Sequence, residues 1–427
     1  MSKKDKQELR QQIACEWLHE NYLQFGNLRH DVVADRLQVR CAHSLGEEAI
    51  GRLGERQELW RNLTDKDINT MVCQCVAEKG VNISTNEMWT ALKSDMVPAV
   101  HPLRAWLDEL RPYTADQPDW IDIVARQVRV KPLGEEAKGD KARGEELWHA
   151  CFKKWFVAMV ASWMKDEVVN HTVLVLVGRQ GIYKTTWLDH LIPPALRLYS
   201  SKLPLSGQIS KDDRLRLCEN GMLNIDELDA ICGREMNIMK SLLTSTDINE
   251  RAAYGRLKER KVRLASFCAS TNKREFLTDI TGNRRWLPFE VESIQNPFYT
   301  TLPYEMMYAQ AVYLVQNDFN YWFDMDEIEV MEQHNEEFRA QENEEQLLPI
   351  LFDIPAEGKG EFMTTAEISE RLVTYGNIKK PMKTRQLGML MAKKGFQKKQ
   401  VFLSGTNVRG WMVYNRQIDE IKLAKNI

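Results

Sequence analysis

Six consecutive residues, Thr172-Val-Leu-Val-Leu-Val177, run straight into Gly178-Arg-Gln-Gly181-Ile-Tyr183-Lys184-Thr185-Thr186. An apolar run of this length has no polar face, so it predicts a strand covered on both sides, as in a parallel sheet flanked by helices. The segment after it predicts a turn that opens a helix. Strand, turn and helix in this order make a phosphate-binding loop. Backbone N–H groups meet triphosphate oxygens, Lys184 brings a cation to the outer phosphates, and the Thr185 hydroxyl ligates magnesium. The candidate nucleotide-binding residues are therefore Gly178, Arg179, Gln180, Gly181, Ile182, Tyr183, Lys184, Thr185 and Thr186, with ATP and Mg2+ as the expected ligands. The usual pattern is GxxxxGK[ST], and Tyr183 stands where its last glycine would be. A side chain there either crowds the approach to phosphate or is tolerated if its φ stays negative.

Three further segments supply what such a loop needs. Met222-Leu-Asn-Ile-Asp226-Glu227 reads as a strand ending in two carboxylates, Asp226 for magnesium and Glu227 to orient water; acids in this position also suit a helix start. Leu264-Ala-Ser-Phe-Cys-Ala-Ser-Thr271-Asn272 is a second buried-strand candidate, with Asn272 as a sensor between the acids and the γ-phosphate. Asn283-Arg284-Arg285-Trp-Leu-Pro-Phe289 offers a paired guanidinium for a neighbouring subunit's phosphate, and the sequence does not choose between Arg284 and Arg285. Between the acids and the sensor lies Arg251 to Arg263, where Arg256, Lys258 and Arg260 share one face of an extended strand. Such a cationic comb suits sequence-independent contact with DNA phosphates, or else protects an edge strand.

The rest of the chain bounds these readings. At 427 residues two or three domains are expected. No apolar stretch approaches the length of a membrane span, and the charged N-terminus lacks a signal-peptide core, so the expectation is a cytoplasmic protein. Eight cysteines occur without paired CxxC elements, and no structural metal is assigned. The net charge of −3 argues against a uniformly basic surface, but charge is polarised: Asp324 to Glu345 holds ten acids and one base, whereas Lys379 to Ile427 holds twelve Lys and Arg against two acids. Residues 1–128 read as a mainly helical domain, 129–146 as a linker, 147–323 as an α/β ATPase domain, and 324–359 as an acidic helix or linker. Residues 360–427 read as a basic winged-helix-like domain, from a capped helix at Thr364, a helix over Thr384–Lys394 and a hairpin around Ser404–Asn407. Lys383, Arg385, Lys393 and Lys394 lie on or near its second helix as candidate DNA contacts.

The order of loop, acid pair, basic hairpin, Asn and Arg-Arg resembles the ATPase core of superfamily 3 helicases. More closely it resembles the virulence-associated E family of mobile elements, through Gln180-Gly181 in the loop and Arg284-Arg285-Trp-Leu-Pro288-Phe289 after it. The resemblance covers residues 146 to 323. It implies an AAA+-like sheet, a ring of six subunits with ATP between neighbours, single-stranded DNA gripped in a central channel by the hairpin, and service to a phage, plasmid or integrated element. Residues 1–128 hold no recognisable primase metal site, so priming falls to a separate primase. Two functions remain in view. One is an ATP-driven DNA helicase or translocase; the other is a non-unwinding, nucleotide-switched initiator that binds origin DNA.

Overall fold

The computed structural model describes residues 2–40, 60–132, 141–204, 210–225, 228, 233–250, 259–277, 283–340, 343–356, 360–379, 381–403 and 405–416. The chain is mixed α/β and forms two compact units, Met1–Asn272 with Leu287–Asp324, and Lys273–Trp286 with Met325–Ile427. Among the described residues no helix is long and apolar enough to cross a membrane.

Among the described residues the first unit opens with the helices α1 (Lys3–Asn21), α2 (Asp65–Lys79), α3 (Thr85–Leu92), α4 (Pro102–Asp108) and α5 (Trp120–Ala125). Capping boxes set the first three starts, pairing Ser2 with Asp5, Thr64 with Asp67 and Ser84 with Glu87. Four short strands, β1 (Leu28–Asp31), β2 (Arg36–Arg40), β3 (Trp60–Asn62) and β4 (Ala99–Val100), form a mixed sheet in the order β3-β2-β1-β4. The sequence reads as mainly helical here; the structure adds this sheet. β1 is Leu-Arg-His-Asp, with no apolar alternation to reveal it.

Residues 1–128 do not stand apart from the α/β segment. Asp31 is fully buried and accepts hydrogen bonds from Val33 N (2.9 Å), Gln38 Nε2 (3.2 Å) and the Tyr199 hydroxyl (2.9 Å). Burial, and then the adjacent Asp31 carboxylate, pushes the Tyr199 phenol well above its ordinary range. Arg104 Nε donates to Trp163 O (2.8 Å), and Ile121 N donates to Gln310 Oε1 (2.9 Å). These bonds bury polar groups with their partners, which makes the joint specific.

The α/β segment continues through β5 (Val128–Val130), α6 (Lys141–Met164), β6 (Val173–Val177), α7 (Lys184–His190), β7 (Ser200–Lys202), α8 (Lys211–Glu219), β8 (Met222–Ile225) and α9 (Gly233–Thr244). It ends with β9 (Asp247–Glu250), β10 (Glu259–Val262), β11 (Ser266–Thr271), β12 (Trp286–Ile294) and α10 (Tyr304–Gln316). Six strands form one sheet in the order β5-β12-β6-β11-β8-β7. β6, β11, β8 and β7 are mutually parallel neighbours, and every residue of β6, β8 and β11 is buried, as the apolar run at 172–177 requires. Helix α6 packs on this sheet with Trp148, Phe152, Trp155, Phe156 and Trp163 all inaccessible. Trp155 Nε1 donates to Phe267 O (2.9 Å) and Trp163 Nε1 to Gly221 O (3.1 Å), so both indoles bury their rings and keep their hydrogen bonds. The linker expected at 129–146 is largely structured. Lys131 N donates to Glu290 O (2.7 Å) beside β5, and α6 starts at Lys141 instead of Leu147. Lys, Ala, Arg and Glu favour helix there, and Gly144 costs only about 1 kcal/mol. Residues 133–140 lie outside the described residues.

In the second unit, the acidic stretch forms α11 (Met325–Asn335) and α12 (Asn343–Leu351). Then come β13 (Phe352–Asp353), β14 (Glu361–Thr364), α13 (Thr365–Gly376), α14 (Thr384–Lys393), β15 (Gln397–Leu403) and β16 (Thr406–Asn415). β16 pairs antiparallel with β13, β14 and β15. Leu348, Leu351 and Phe352 share one core with Ile368, Leu372, Leu387, Leu390 and Trp411. The end of the 324–359 stretch is thus packed into the module that follows instead of linking to it.

His101 caps α4 through Nδ1, which accepts from Arg104 N (3.3 Å). Burial, then the Arg104 guanidinium, pulls its pKa from 6.5 to about 4. The folded chain thus resists protonation that the unfolded chain accepts, so this stability is complete above pH 6.5 and is lost as pH falls toward 4. Allowing for partial exposure, the loss is on the order of 1–2 kcal/mol. His101→Asn keeps a cap acceptor without the titration. Urea unfolding at pH 7 and pH 5 is expected to show a smaller drop in the variant than in the parent.

Candidate functional site: a phosphate loop at the ends of parallel strands

The parallel strands deliver their carboxyl ends to one edge of the sheet, where open α/β sheets bind ligands. Val177 at the end of β6 is in register with Thr271 at the end of β11, and Gly178 N donates to Thr271 O (3.1 Å). Gly178 (φ +154°) is irreplaceable by geometry, since a Cβ would lie 3.2 Å from Val291 O and 3.1 Å from the end of the Ile182 side chain. Gly181 (φ +85°) makes the second left-handed turn. Past it the chain enters α7 with Lys184 buried. Its ammonium donates to Gly178 O (2.7 Å), Arg179 O (2.8 Å) and Asn272 Oδ1 (3.1 Å). Thr185 Oγ1 lies 2.8 Å from Ser270 Oγ. Lys184, Thr185 and Asn272, singled out separately in the sequence, are therefore brought together by strand order. Ser270 was not foreseen; its signal is a hydroxyl close to the end of a buried strand.

Tyr183 takes φ +67°, so the condition under which a side chain here is readily tolerated, a negative φ, is not met. A left-handed non-glycine residue costs about 1–2 kcal/mol. In return the Tyr183 ring meets Phe298 edge to face at 6.3 Å, and its hydroxyl accepts a long 3.4 Å bond from Asn296 Nδ2. Such a ring pair is worth about 0.5–1.5 kcal/mol, and glycine would add an entropic cost of about 0.5–1 kcal/mol. The terms nearly cancel. Tyr183→Gly is expected to move the unfolding free energy by less than about 1 kcal/mol in a urea titration.

The remaining sequence candidates divide. β8 ends at Ile225 beside Ala269 of β11, so the acid pair follows directly in the chain, but Asp226 and Glu227 themselves lie outside the described residues. Arg256 and Lys258 also lie outside them. The hairpin that carries them is present at its base, where β9 and β10 pair antiparallel. Arg260, the described member of the comb, forms an ion pair with Asp247 across that base. Asn283-Arg284-Arg285 is a 3-10 turn leading into β12, its Asn283 carbonyl accepting from Asn335 Nδ2 (2.8 Å). Arg284 is exposed and Arg285 half-buried, and burial pulls the Arg285 pKa down, followed by repulsion from Arg284. In the C-terminal module Lys383 and Arg385 are exposed at the start of α14. Lys393 instead pairs with Glu336 (2.6 Å) and Lys394 with Glu345 (3.4 Å), so acids of the preceding stretch already hold two of the four expected DNA contacts.

The sequence reading passed over Arg263, which is fully buried just beyond β10. Its guanidinium donates to Leu243 O (2.7 Å), Leu242 O (3.1 Å), Ala265 O (3.2 Å) and Asn170 O (2.7 Å) and lies over the Phe267 ring. Burial lowers its pKa, while the carbonyls at the end of α9 favour the cation. It pins the foot of the hairpin to the sheet. Its odd spacing from Arg256, Lys258 and Arg260 was the available signal, because alternation turns it to the opposite face. Arg263→Met leaves several buried carbonyls without donors and is expected to cost at least about 3 kcal/mol in urea unfolding.

Comparison with known proteins bears on the central segment. No curated protein matches the chain. Among solved structures, the apo structure of the NrS-1 C-terminal region (305–718) aligns with 93% of this chain and 99% of its own at 11% identity and a TM-score of 0.47. The A-form apo structure of the same region aligns over the same shares at 12% identity and a TM-score of 0.45. Residues 137–340, a span wider on both sides than the 146–323 expected, match the family model of the virulence-associated protein E-like domain, and the chain therefore carries a domain of that family.

Proposed function

We propose that the chain is an ATP-driven DNA helicase or translocase that serves replication of a phage or other mobile genetic element. One observation carries the reading: Lys184 and Thr185, after β6, reach Asn272 and Ser270 at the end of β11, and β11 lies between β6 and β8, the strand that Asp226-Glu227 follows. Loop and polar sensor meet, and the acid pair follows the neighbouring strand in the chain, the order that an AAA+-like phosphate-loop ATPase uses. The residues present fit a triphosphate, since Gly178 lets the backbone close without a Cβ and Lys184 is gathered among oxygens that phosphate would replace.

In this reading Lys184 leaves the carbonyls of Gly178 and Arg179 for the outer phosphates of ATP. Asn272 and Glu227 orient the attacking water, and Thr185 and Asp226 hold magnesium. Bound magnesium supplies Lewis-acid neutralisation of the phosphoryl charge. In a ring of six subunits Arg284, the more exposed of the pair, reaches the neighbour's site. Arg256, Lys258 and Arg260 follow DNA in the channel, and motion of the hairpin passes to the sheet through Arg263. Lys383 and Arg385 of the winged-helix-like module add a duplex contact, and priming falls to a separate primase.

Tyr183 favours the second reading, a nucleotide-switched initiator without unwinding, because its left-handed backbone stands where glycine is usual. ATP hydrolysis with and without single-stranded DNA separates the two. The motor reading expects stimulation by DNA, together with strand displacement, and a loss of both by at least about a hundredfold in Lys184→Ala and Glu227→Gln. Sequence-specific duplex binding that survives both substitutions, with no displacement by the parent, would overturn it in favour of the initiator.

A further inference from the structure

We propose that Phe298, presented beside the loop by Tyr183 and Asn296, is the stacking platform for the base of a nucleoside triphosphate, so that this chain selects ATP over an inorganic polyphosphate. The inference rests on the phosphate-loop reading and adds to it where the rest of the substrate lies.

Three aromatic side chains are exposed at one end of the loop: Tyr183 at 38%, Phe298 at 69% and Tyr299 at 89%. They are held in place. Asn296 Oδ1 accepts from Phe298 N (3.0 Å) and Asn296 O accepts from Tyr299 N (3.1 Å), a turn that fixes the backbone below both rings. The same Asn296 reaches Tyr183 through Nδ2, so one side chain ties the turn to the loop. Phe298 is braced edge-on by Tyr183 (6.3 Å) and by His190 (6.0 Å), which stand at interplanar angles of 82° and 84° to it. His190 is itself fixed at the far end of α7 by a bond from Nδ1 to Thr186 O (2.7 Å).

Two edge-on neighbours orient the Phe298 ring while leaving much of it open to solvent, and nothing in the fold needs that exposure. An open, oriented aromatic face is what a flat heterocycle stacks on, whatever its hydrogen-bonding pattern. The place is also right for a nucleotide. Tyr183 belongs to the loop that meets the phosphates, and the platform begins one ring beyond it. The near-neutral energetics of Tyr183 then find a use, because a glycine there would remove one of the two braces.

Calorimetric titration of the full chain with Mg-ATP and with Mg-tripolyphosphate, which has the phosphates and no base, tests this. The parent is expected to bind ATP at least about fivefold more tightly than tripolyphosphate. Phe298→Ala is expected to abolish that preference by weakening ATP alone, Tyr183→Gly to reduce it, and Lys184→Ala to weaken both ligands. Equal affinity of the parent for the two ligands, or an unchanged preference in Phe298→Ala, would overturn the platform and leave the phosphate loop standing. A preference lost together with a change in oligomeric mass would assign the rings to packing between copies and overturn it also. Binding of neither ligand would remove the phosphate-loop reading and this one with it.

Discussion

Everything at the site depends on β11 lying between β6 and β8. Lys184 and Asn272 are 88 residues apart, and only the parallel register of Val177 with Thr271 brings them within hydrogen-bond reach. That register is fixed by burial more than by the loop. A strand enclosed on both faces cannot slip by one residue without turning its side chains over, and α6 anchors the arrangement by giving the indole N–H of Trp155 to a carbonyl of β11. The chemistry is set by a sheet whose stability comes from residues that never touch a ligand.

How much of this is legible in the sequence follows from the same physics. Buried parallel strands are largely apolar, so β6 reads directly as a continuous run, and β8 and β11 read as shorter ones interrupted by Asn224 and begun by Ser266. β1 and β2 cannot be read in this way, because their stability comes from pairing and from one buried carboxylate, Asp31, whose partner Tyr199 is 168 residues away. The C-terminal module divides in the same way. The cap at Thr364, the second helix and the hairpin are local and readable. The capture of Lys393 and Lys394 by Glu336 and Glu345 is a non-local pairing, and the count of charges in each segment gives no hint of it.

That capture changes what the charge polarity means. The acidic stretch and the basic tail looked like separate surfaces, one solvated and one for DNA. Within the second unit they partly cancel. Arg339 and Glu345 are both buried in a two-pronged ion pair (2.5 and 2.6 Å), so Glu345 is a desolvated acceptor to which Lys394 is added. Lys394 is itself 43% exposed and 3.4 Å away, so it adds a solvent-screened contact to a carboxylate that Arg339 already satisfies. Lys393, whose partner Glu336 is half exposed, is likewise held by an interaction of small worth. Among the described residues the basic surface open to a polyanion includes the start of α14, where Lys383 and Arg385 are exposed, and the hairpin, where Lys398, Lys399 and Arg409 are exposed.

Arg263 ties a marginal hairpin to the core of the α/β segment. The hairpin is polar, two-stranded and marginal on its own, since an isolated strand pair buries too little apolar surface to persist. Its last strand ends one residue before a guanidinium that satisfies the final carbonyls of α9 and a carbonyl two residues before Thr172, where the apolar run into the loop begins. The bonds run to backbone, so they transmit the position of main chain instead of the rotamer of a neighbour. The β6 approach and the end of α9 are thereby tied to the foot of the hairpin through one fully buried side chain.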